Sequence, residues 1–480
     1  MLTNLLTRPL CLLVSLTGSK SMSAVPSSDL ITRYGGNLPR YTSYPTAASF
    51  TEAVGSAQAE AWLKAVPEEQ PLSLYFHVPF CDELCRFCGC NTSVMRRDDG
   101  RAAYGDLLRE ELRRVVALVG TQRLVRHVQF GGGTPSTLPA TALRQIMRSV
   151  RSMFHVEHGA ELSMELDPRH VPEGYPTLLG ELGFTRISVG VQDLNEQVQE
   201  ACGRHQSFEQ TQACLSAVRG AGISGVNIDL IYGLPYQTED SVAETVLQIA
   251  SLRPDRLAVF GYAHIPWKQK RQRLIPESSL PGPAERLAQR ARMDTVLKAE
   301  GYVAIGLDHY ALPNDALVKA AAAGTLRRNF QGYTTDSASA LIGMGASAIS
   351  MLPGGYSQNI TTVAPYARAL ADSEGLPVAR GVARTPEDHL RGNLIERLMC
   401  DMGVDLAQFE SLNTVFTPER EALTSFVEDG LITLEGSKVQ ITERGRPFVR
   451  NVAALFDTHR KALAQAAGSG AESPRFSRAI

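Results

Sequence analysis

Between residues 72 and 307, short runs rich in β-branched and aromatic residues alternate with amphipathic stretches of helical period. The candidate strands are 72–77, 125–130, 161–166, 186–190, 225–231, 256–261 and 303–307. In the first gap Tyr104, Leu107, Leu108, Leu112, Val115 and Val116 recur at helical spacing, and Leu143, Ile146, Met147, Val150 and Phe154 do so in the second. Stretches 209–219, 240–252 and 284–300 continue the alternation. Strands that alternate with helices must run parallel, because each crossover carries the chain back to the same end of the sheet. The expected class is therefore α/β, and ligand chemistry belongs beyond the carboxyl ends of the strands. The chemistry-bearing residues stand there: Cys81 after the first strand, Gly131 to Thr134 after the second, Asp167 after the third and Gln192 after the fourth.

A chain of 480 residues exceeds one such unit. Three parts are expected: an N-terminal extension and arm (1–54), a catalytic α/β unit (55–375) and a smaller C-terminal domain (376–480). In the last, 386–399 and 418–429 read as helices and 431–442 as a hairpin, with a Gly/Ser/Ala-rich mobile tail from Ala466 up to Phe476. Apolar residues make up 44% and charged residues 20%, a globular balance that excludes a disordered chain. A formal charge of −2 gives no electrostatic hold on nucleic acid, and no apolar run reaches the ~20 residues of a membrane span. Arg8 followed by the apolar run 10–16 resembles a short export signal, but Met22 offers a second start and the thiol chemistry downstream suits a reducing compartment. A cytoplasmic monomer is expected, with no nucleic acid and no membrane as partner.

Four of the eight cysteines, Cys81, Cys85, Cys88 and Cys90, fall within ten positions, and the others are scattered. A cluster this tight in a chain this long reads as metal ligation or redox chemistry rather than as a disulfide framework. Thiolates suit zinc or an iron–sulfur cluster. Structural zinc takes four ligands, commonly as two separated pairs. Here three thiols are compact, and Cys90, two positions on, reaches the same centre only with strain. Three ligands on a [4Fe–4S] cubane leave one iron open to a ligand.

Cys81-x-x-x-Cys85-x-x-Cys88 after a strand, with Phe87 before the last cysteine, resembles the radical S-adenosylmethionine superfamily. Within it, Tyr75-Phe-His-Val-Pro-Phe-Cys81 and Cys88-Gly-Cys90-Asn91 are similar to the oxygen-independent coproporphyrinogen III oxidases, also called coproporphyrinogen dehydrogenases. So are Pro39-Arg-Tyr-Thr-Ser-Tyr-Pro-Thr46, Gly131-Gly-Gly-Thr-Pro135, Asn227-Ile-Asp-Leu-Ile-Tyr-Gly-Leu-Pro235 and Asn329-Phe-Gln-Gly-Tyr-Thr-Thr335. The resemblance runs from about Asp29 to Phe476 and implies a partial (β/α) barrel with an N-terminal arm and a mainly helical C-terminal domain. It implies one [4Fe–4S] cluster on Cys81, Cys85 and Cys88, whose open iron chelates S-adenosylmethionine and cleaves it to a 5′-deoxyadenosyl radical. The reaction it implies is oxidative decarboxylation of two propionates of coproporphyrinogen III to vinyl groups. Two S-adenosylmethionine molecules are consumed per substrate, with an electron donor and an electron acceptor as further partners.

By the same resemblance Cys90 is a catalytic cysteine outside the cluster. Tyr75, Phe87, Gly132, Gly133, Thr134, Glu165, Gln192, Arg204, Asp229, Ala263 and Ile349 bind the cofactor, with Arg204 as a carboxylate clamp. Several have a plainer chemical reading beside this one. The glycines let backbone approach a ligand, and Glu165 among apolar neighbours needs a polar partner, which a ribose hydroxyl supplies. Tyr75, Phe87, Ala263 and Ile349 read by themselves as core. His264 and His309 read as structural histidines, and Lys268, Lys270, Arg271 and Arg273 as a solvated face that can steer an acidic ligand. In the arm, Arg40 between aromatic residues offers a carboxylate partner, and Tyr41 and Tyr44 an apolar face for a macrocycle. The alternatives are a haem-handling relative without dehydrogenase activity and a non-catalytic zinc module.

Overall fold

The computed structural model describes residues 28–412, 416–468, 476 and 478. The export-like segment, the second start at Met22 and Cys11 lie outside these residues, as does the tail beyond Gly468 apart from Phe476 and Arg478; residues 466–468 end the helix Thr458–Gly468.

One sheet organises the molecule. Its strands in chain order are β1 (Leu72–Val78), β2 (Leu124–Gly132), β3 (His155–Leu166), β4 (Arg186–Gln192), β5 (Gly225–Tyr232) and β6 (Arg256–Gly261). They are followed by β7 (Val303–Ile305), β8 (His309–Ala311), β9 (Ala340–Met344), β10 (Ile349–Leu352), β11 (Gly355–Asn359) and β12 (Val378–Ala383). The spatial order is β12-β11-β10-β9-β1-β2-β3-β4-β5-β6-β8-β7. From β9 to β6 every neighbour is parallel. Both flanks turn antiparallel, and the sheet stays open between β12 and β7, so the barrel is partial.

The expected parallel strands β1 to β6 are present, covered by helices such as Asp98–Val119, Ala140–Met153, Phe208–Gly220 and Glu239–Ser251. Leu72, Phe76, Val128, Phe130, Ile187, Ile228 and Leu257 are fully buried between the two layers. Two expectations need correction. The stretch 303–307 does not add a seventh parallel strand. It breaks after Ile305, because Gly306 turns the chain at φ 54° and β8 returns antiparallel between β7 and β6. The sheet also runs past the expected boundary at 376: β12 pairs antiparallel with β11, and Thr51 of the arm bridges to Gly381 on its far side. The segment 340–383 was missed as strand because its runs are only four to six residues long, and only the last two are joined by a helix, Val363–Asp372.

The arm is not a strap on the barrel alone. Helix Ser28–Tyr34 and the residues after it place Leu30, Tyr34, Leu38, Tyr41 and Tyr44 in one core with Leu394, Leu398, Phe416, Phe448 and Phe456 of the C-terminal region. That region contains the expected helices, Pro386–Asp401 and Thr417–Glu428, and the hairpin Ile432–Glu435 with Lys438–Ile441. Among the described residues no helix is long and apolar enough to cross a membrane.

Candidate active site

The carboxyl ends of β1 to β6 open into a cavity of about 630 Å³. Cys81, Cys85, Cys88 and Cys90 lie on its wall, all as free thiols. Their loop is held by backbone hydrogen bonds that owe nothing to the thiols. Arg86 N–H donates to the carbonyl of Cys202 (2.8 Å), and its guanidinium to those of Glu200 and Ala201. Gln272 Nε2 donates to Phe87 O (2.7 Å), Gln269 Nε2 to Gly89 O (2.9 Å) and Arg271 to Thr92 Oγ1 (3.1 Å). The basic stretch is therefore more than a solvated face: the glutamines within it pin the cysteine loop, and Lys268 and Arg271 turn to the cavity.

Each of the three spaced sulfurs receives a donor. Thr134 Oγ1 donates to Cys81 Sγ (3.6 Å), Arg204 Nη1 and Arg169 Nη2 to Cys85 Sγ (3.5 and 3.7 Å), and Cys90 N–H to Cys88 Sγ (3.4 Å). Burial pushes the Cys81 thiol up to about 11, whereas hydrogen bonding from Cys90 pulls Cys88 down to about 6. Donors on all three sulfurs suit thiolates that must hold a cluster, since hydrogen bonds and charge around the sulfur set its stability and potential. The backbone beside them leaves room. A Cβ on Gly133 would stand 2.5 Å from Phe80 O and 3.0 Å from Cys81 Sγ, and Gly132 holds φ at 118°, so neither position takes a side chain. Among the described residues no three His, Cys, Asp or Glu side chains close on a single-ion point. One zinc with bonds of about 2.0–2.3 Å requires such convergence. The donor set and the glycine cradle fit a larger cluster.

Around the cavity the structure gathers Phe87, Gly132, Gly133, Thr134, Glu165, Gln192, Arg204, Asp229 and Ala263. Tyr75 and Ile349 are not on the wall. The Tyr75 hydroxyl shares a 3.0 Å hydrogen bond with His77 Nδ1, whose Nε2 meets the carbonyl of Asn91 (3.3 Å), and Ile349 opens β10. Gln192 sits at a bulge between β4 and β5 with φ 74°, a backbone rarely adopted by a residue with a side chain, and this turns it into the cavity. Asp229 accepts from Asn227 Nδ2 (2.8 Å) and Ser188 Oγ (3.3 Å), while burial raises its carboxyl above the ordinary range.

Glu165 accepts from Gly132 N–H (3.0 Å), and burial lifts it to about 7, with Asp229 adding to the rise. Because the folded value exceeds the ordinary 4.5, the folded protein binds the extra proton between those values, and stability falls as pH rises through 7. Glu165→Gln is therefore expected to melt higher than the parent at pH 8, with the gain gone by pH 5. Calorimetry across that range checks this.

Arg204, expected as a clamp for a bound carboxylate, stands on the cavity wall. Its guanidinium already faces Asp167 at 3.1 and 3.2 Å and Gln206 at 3.1 Å, so its nearest carboxylate is the protein's own. Asp167 and Arg169 are the pair that the sequence reading left without a role. Burial opposes the charge on Asp167, yet Arg169 and Arg204 hold it at about 2. The signal was present in Glu165-Leu-Asp-Pro-Arg169, where a strand ends in two acids followed by a base. Tyr41 and Tyr44 depart from expectation. Both rings are buried in the C-terminal core, with hydroxyls on Asp457 (3.0 Å) and Thr458 (2.9 Å), and cannot offer a face to a ligand. Arg40 alone of that trio reaches the cavity. His309 is buried against Asp308 (2.7 Å) and His264 shares a hydrogen bond with Tyr262 (3.0 Å), both structural roles as read.

Comparison with known proteins agrees with this architecture. Residues 75–249 match the radical SAM superfamily, and residues 385–448 match the HemN C-terminal domain. The oxygen-independent coproporphyrinogen III oxidase of Bradyrhizobium diazoefficiens is 43% identical over 437 residues, 90% of this chain and 97% of that protein. The Escherichia coli protein of the same name is 40% identical over 438 residues, covering 90% and 94%. The solved structure of coproporphyrinogen III oxidase (HemN) from Escherichia coli, described as a radical SAM enzyme, superposes with a TM-score of 0.85 at 38% identity, covering 91% of this chain and 100% of that one. With the fold and two-fifths of the sequence shared over nine-tenths of its length, the chain belongs to the oxygen-independent coproporphyrinogen III oxidase family of the radical SAM superfamily.

Proposed function

We propose that this chain catalyses the oxygen-independent oxidative decarboxylation of two propionate side chains of coproporphyrinogen III to vinyl groups, giving protoporphyrinogen IX on the route to haem. The observation that carries the reading is three free thiols, each hydrogen-bonded, on one cavity of a chain with this family's full length. Cys81, Cys85 and Cys88 hold a [4Fe–4S] cluster, and Phe87, Gly132, Gly133, Thr134, Glu165, Gln192, Arg204, Asp229 and Ala263 form the wall for S-adenosylmethionine. When bound, the two together supply a 5′-deoxyadenosyl radical. Each propionate loses a β-hydrogen atom, carbon dioxide and one electron as its vinyl group forms, so two S-adenosylmethionine molecules and a one-electron acceptor are needed per porphyrinogen.

The chain's own groups divide the remaining work. Glu165, poised near 7, accepts a hydroxyl hydrogen bond while Gly132 N–H fixes its orientation. Asp167 fixes Arg204 and Arg169 against Cys85. Tyr75 acts from behind the wall through His77 and Asn91, and Ile349 packs at β10. Cys90 is exposed at the cavity, its N–H and its thiol both directed to Cys88, and serves the substrate rather than the cluster. Cys90→Ser is expected to retain iron and sulfide at parent levels and lose vinyl formation. A fall in iron content would make Cys90 a ligand instead. Product analysis after anaerobic incubation with coproporphyrinogen III, S-adenosylmethionine and a reductant tests the whole reading: two vinyl groups replace two propionates, or the reading fails.

A further inference from the structure

The cavity wall built from the arm carries charge that the chemistry above leaves unused. Arg40 stands there, Nη2 donating to Gly261 O (2.8 Å) and its guanidinium 5.8 Å from the ring centre of Phe260. Three arginines, Arg328 and Arg450 buried and Arg286 half-buried, back the same wall. Arg286 donates to Tyr262 O (2.8 Å), Arg328 reaches Arg40 O (3.4 Å), and Arg450 reaches Leu38 O (3.4 Å). The carbonyls of Leu38, Arg40 and Tyr262, all wall residues, thus each receive a guanidinium from behind.

Matching carboxylates are scarce. Asp308 lies 3.8 Å from Arg328 Nη2 and is shared with His309. Among the described residues Arg286 forms no ion pair, and its Nε is buried without a hydrogen-bond partner. Arg328 is only 8% exposed, and its Nε and Nη1 are likewise buried without partners. Burial, then the charge of Arg40, drags Arg450 down to about 10. Burial also lowers Arg286, with Arg478 and Arg40 adding to the fall. A guanidinium such as that of Arg286, drawn from water with no carboxylate beside it, is costly, and arginines gathered at one end of a low-dielectric cavity focus their field on an incoming anion. Perturbed groups of this kind in a cleft mark functional positions.

We propose that this end of the cavity is a subsite for propionate carboxylates of the porphyrinogen, with Arg40 as the contact residue and Arg286, Arg328 and Arg450 as the charge behind it. The inference rests on the proposed function, because it takes coproporphyrinogen III as the ligand. An arginine fork matches a carboxylate in shape as well as charge.

The test uses the cluster-loaded protein and two stable probes, coproporphyrin III and its tetramethyl ester, with binding read by fluorescence. Arg40→Gln removes an exposed side chain held by one backbone carbonyl, so the fold remains. It is expected to weaken coproporphyrin III by roughly tenfold or more, the size of one charge-assisted contact, and to leave the ester unmoved. Arg286→Gln is expected to weaken the acid by about threefold through the field alone, and Arg286→Lys to restore it. Equal losses for acid and ester, or no loss for the acid, would overturn the subsite while leaving the function intact. A parent protein that neither binds coproporphyrin III nor converts coproporphyrinogen III removes the functional reading itself.

Discussion

Replacing any one of Cys81, Cys85 and Cys88 by serine is expected to strip the cluster and abolish turnover. A cubane held by three protein thiolates has none to spare, and serine oxygen is a harder, poorer ligand for iron–sulfur centres. Loss of a residue that merely hydrogen-bonds a ligand costs roughly 10–100-fold in affinity or activity; loss of the ligand itself should exceed that. Iron and sulfide counts after anaerobic reconstitution, read beside Cys90→Ser, decide it. A Cys85→Ser protein that kept its iron while Cys90→Ser lost it would reverse the ligand assignment. The structure also predicts why the loop should survive the change: its anchors are Arg86, Gln269 and Gln272, so the apo variants are expected to keep the fold.

Asp167→Ala is expected to be the most damaging change outside the cysteines. Asp167 is 9% exposed and neutralises two guanidinium groups, Arg169 at 2.7 Å and Arg204 at 3.1 Å, both of which lean on Cys85 Sγ. Removing one partner of a buried pair leaves charge uncompensated, at a cost of about 3–5 kcal/mol. The pH dependence has a definite sign. The folded value of about 2 lies below the ordinary 3.8, so the stabilisation is complete above 3.8 and drains away as pH falls toward 2. The parent should therefore lose its advantage over Asp167→Ala in acid, and denaturant titrations at pH 7 and pH 3 measure the difference. A gap that stayed constant between those pH values would mean that Asp167 acts by packing rather than charge.

The parallel half of the sheet was legible because each of its strands is followed by a helix of clear period, and each strand end carries the residues that ring the cavity. What the sequence hid was the flank from β9 to β12, whose runs of four to six residues carry no alternation long enough to read. The cysteine loop was legible from spacing alone, and the resemblance named many of the residues that line the cavity. Arg204 and Asp167 were each singled out but their pairing was not, since they lie 37 positions apart and only the fold brings them together. The same reason explains the arm. Tyr41 and Tyr44 look like ligand contacts in one dimension, but their neighbours Asp457 and Thr458 are some 414 to 416 positions distant. Arg286, Arg328 and Arg450 come from three separate segments, and no local pattern announces a charged wall assembled in that way.

The central claim is that the thiol loop and the cavity it faces perform one radical decarboxylation, and coupling is its most direct measure. Under anaerobic conditions with excess coproporphyrinogen III, reductant and an electron acceptor, 5′-deoxyadenosine and carbon dioxide should be released together, one of each per vinyl group and two of each per protoporphyrinogen IX. Carbon dioxide without 5′-deoxyadenosine, or 5′-deoxyadenosine whose yield ignores the porphyrinogen, would contradict it.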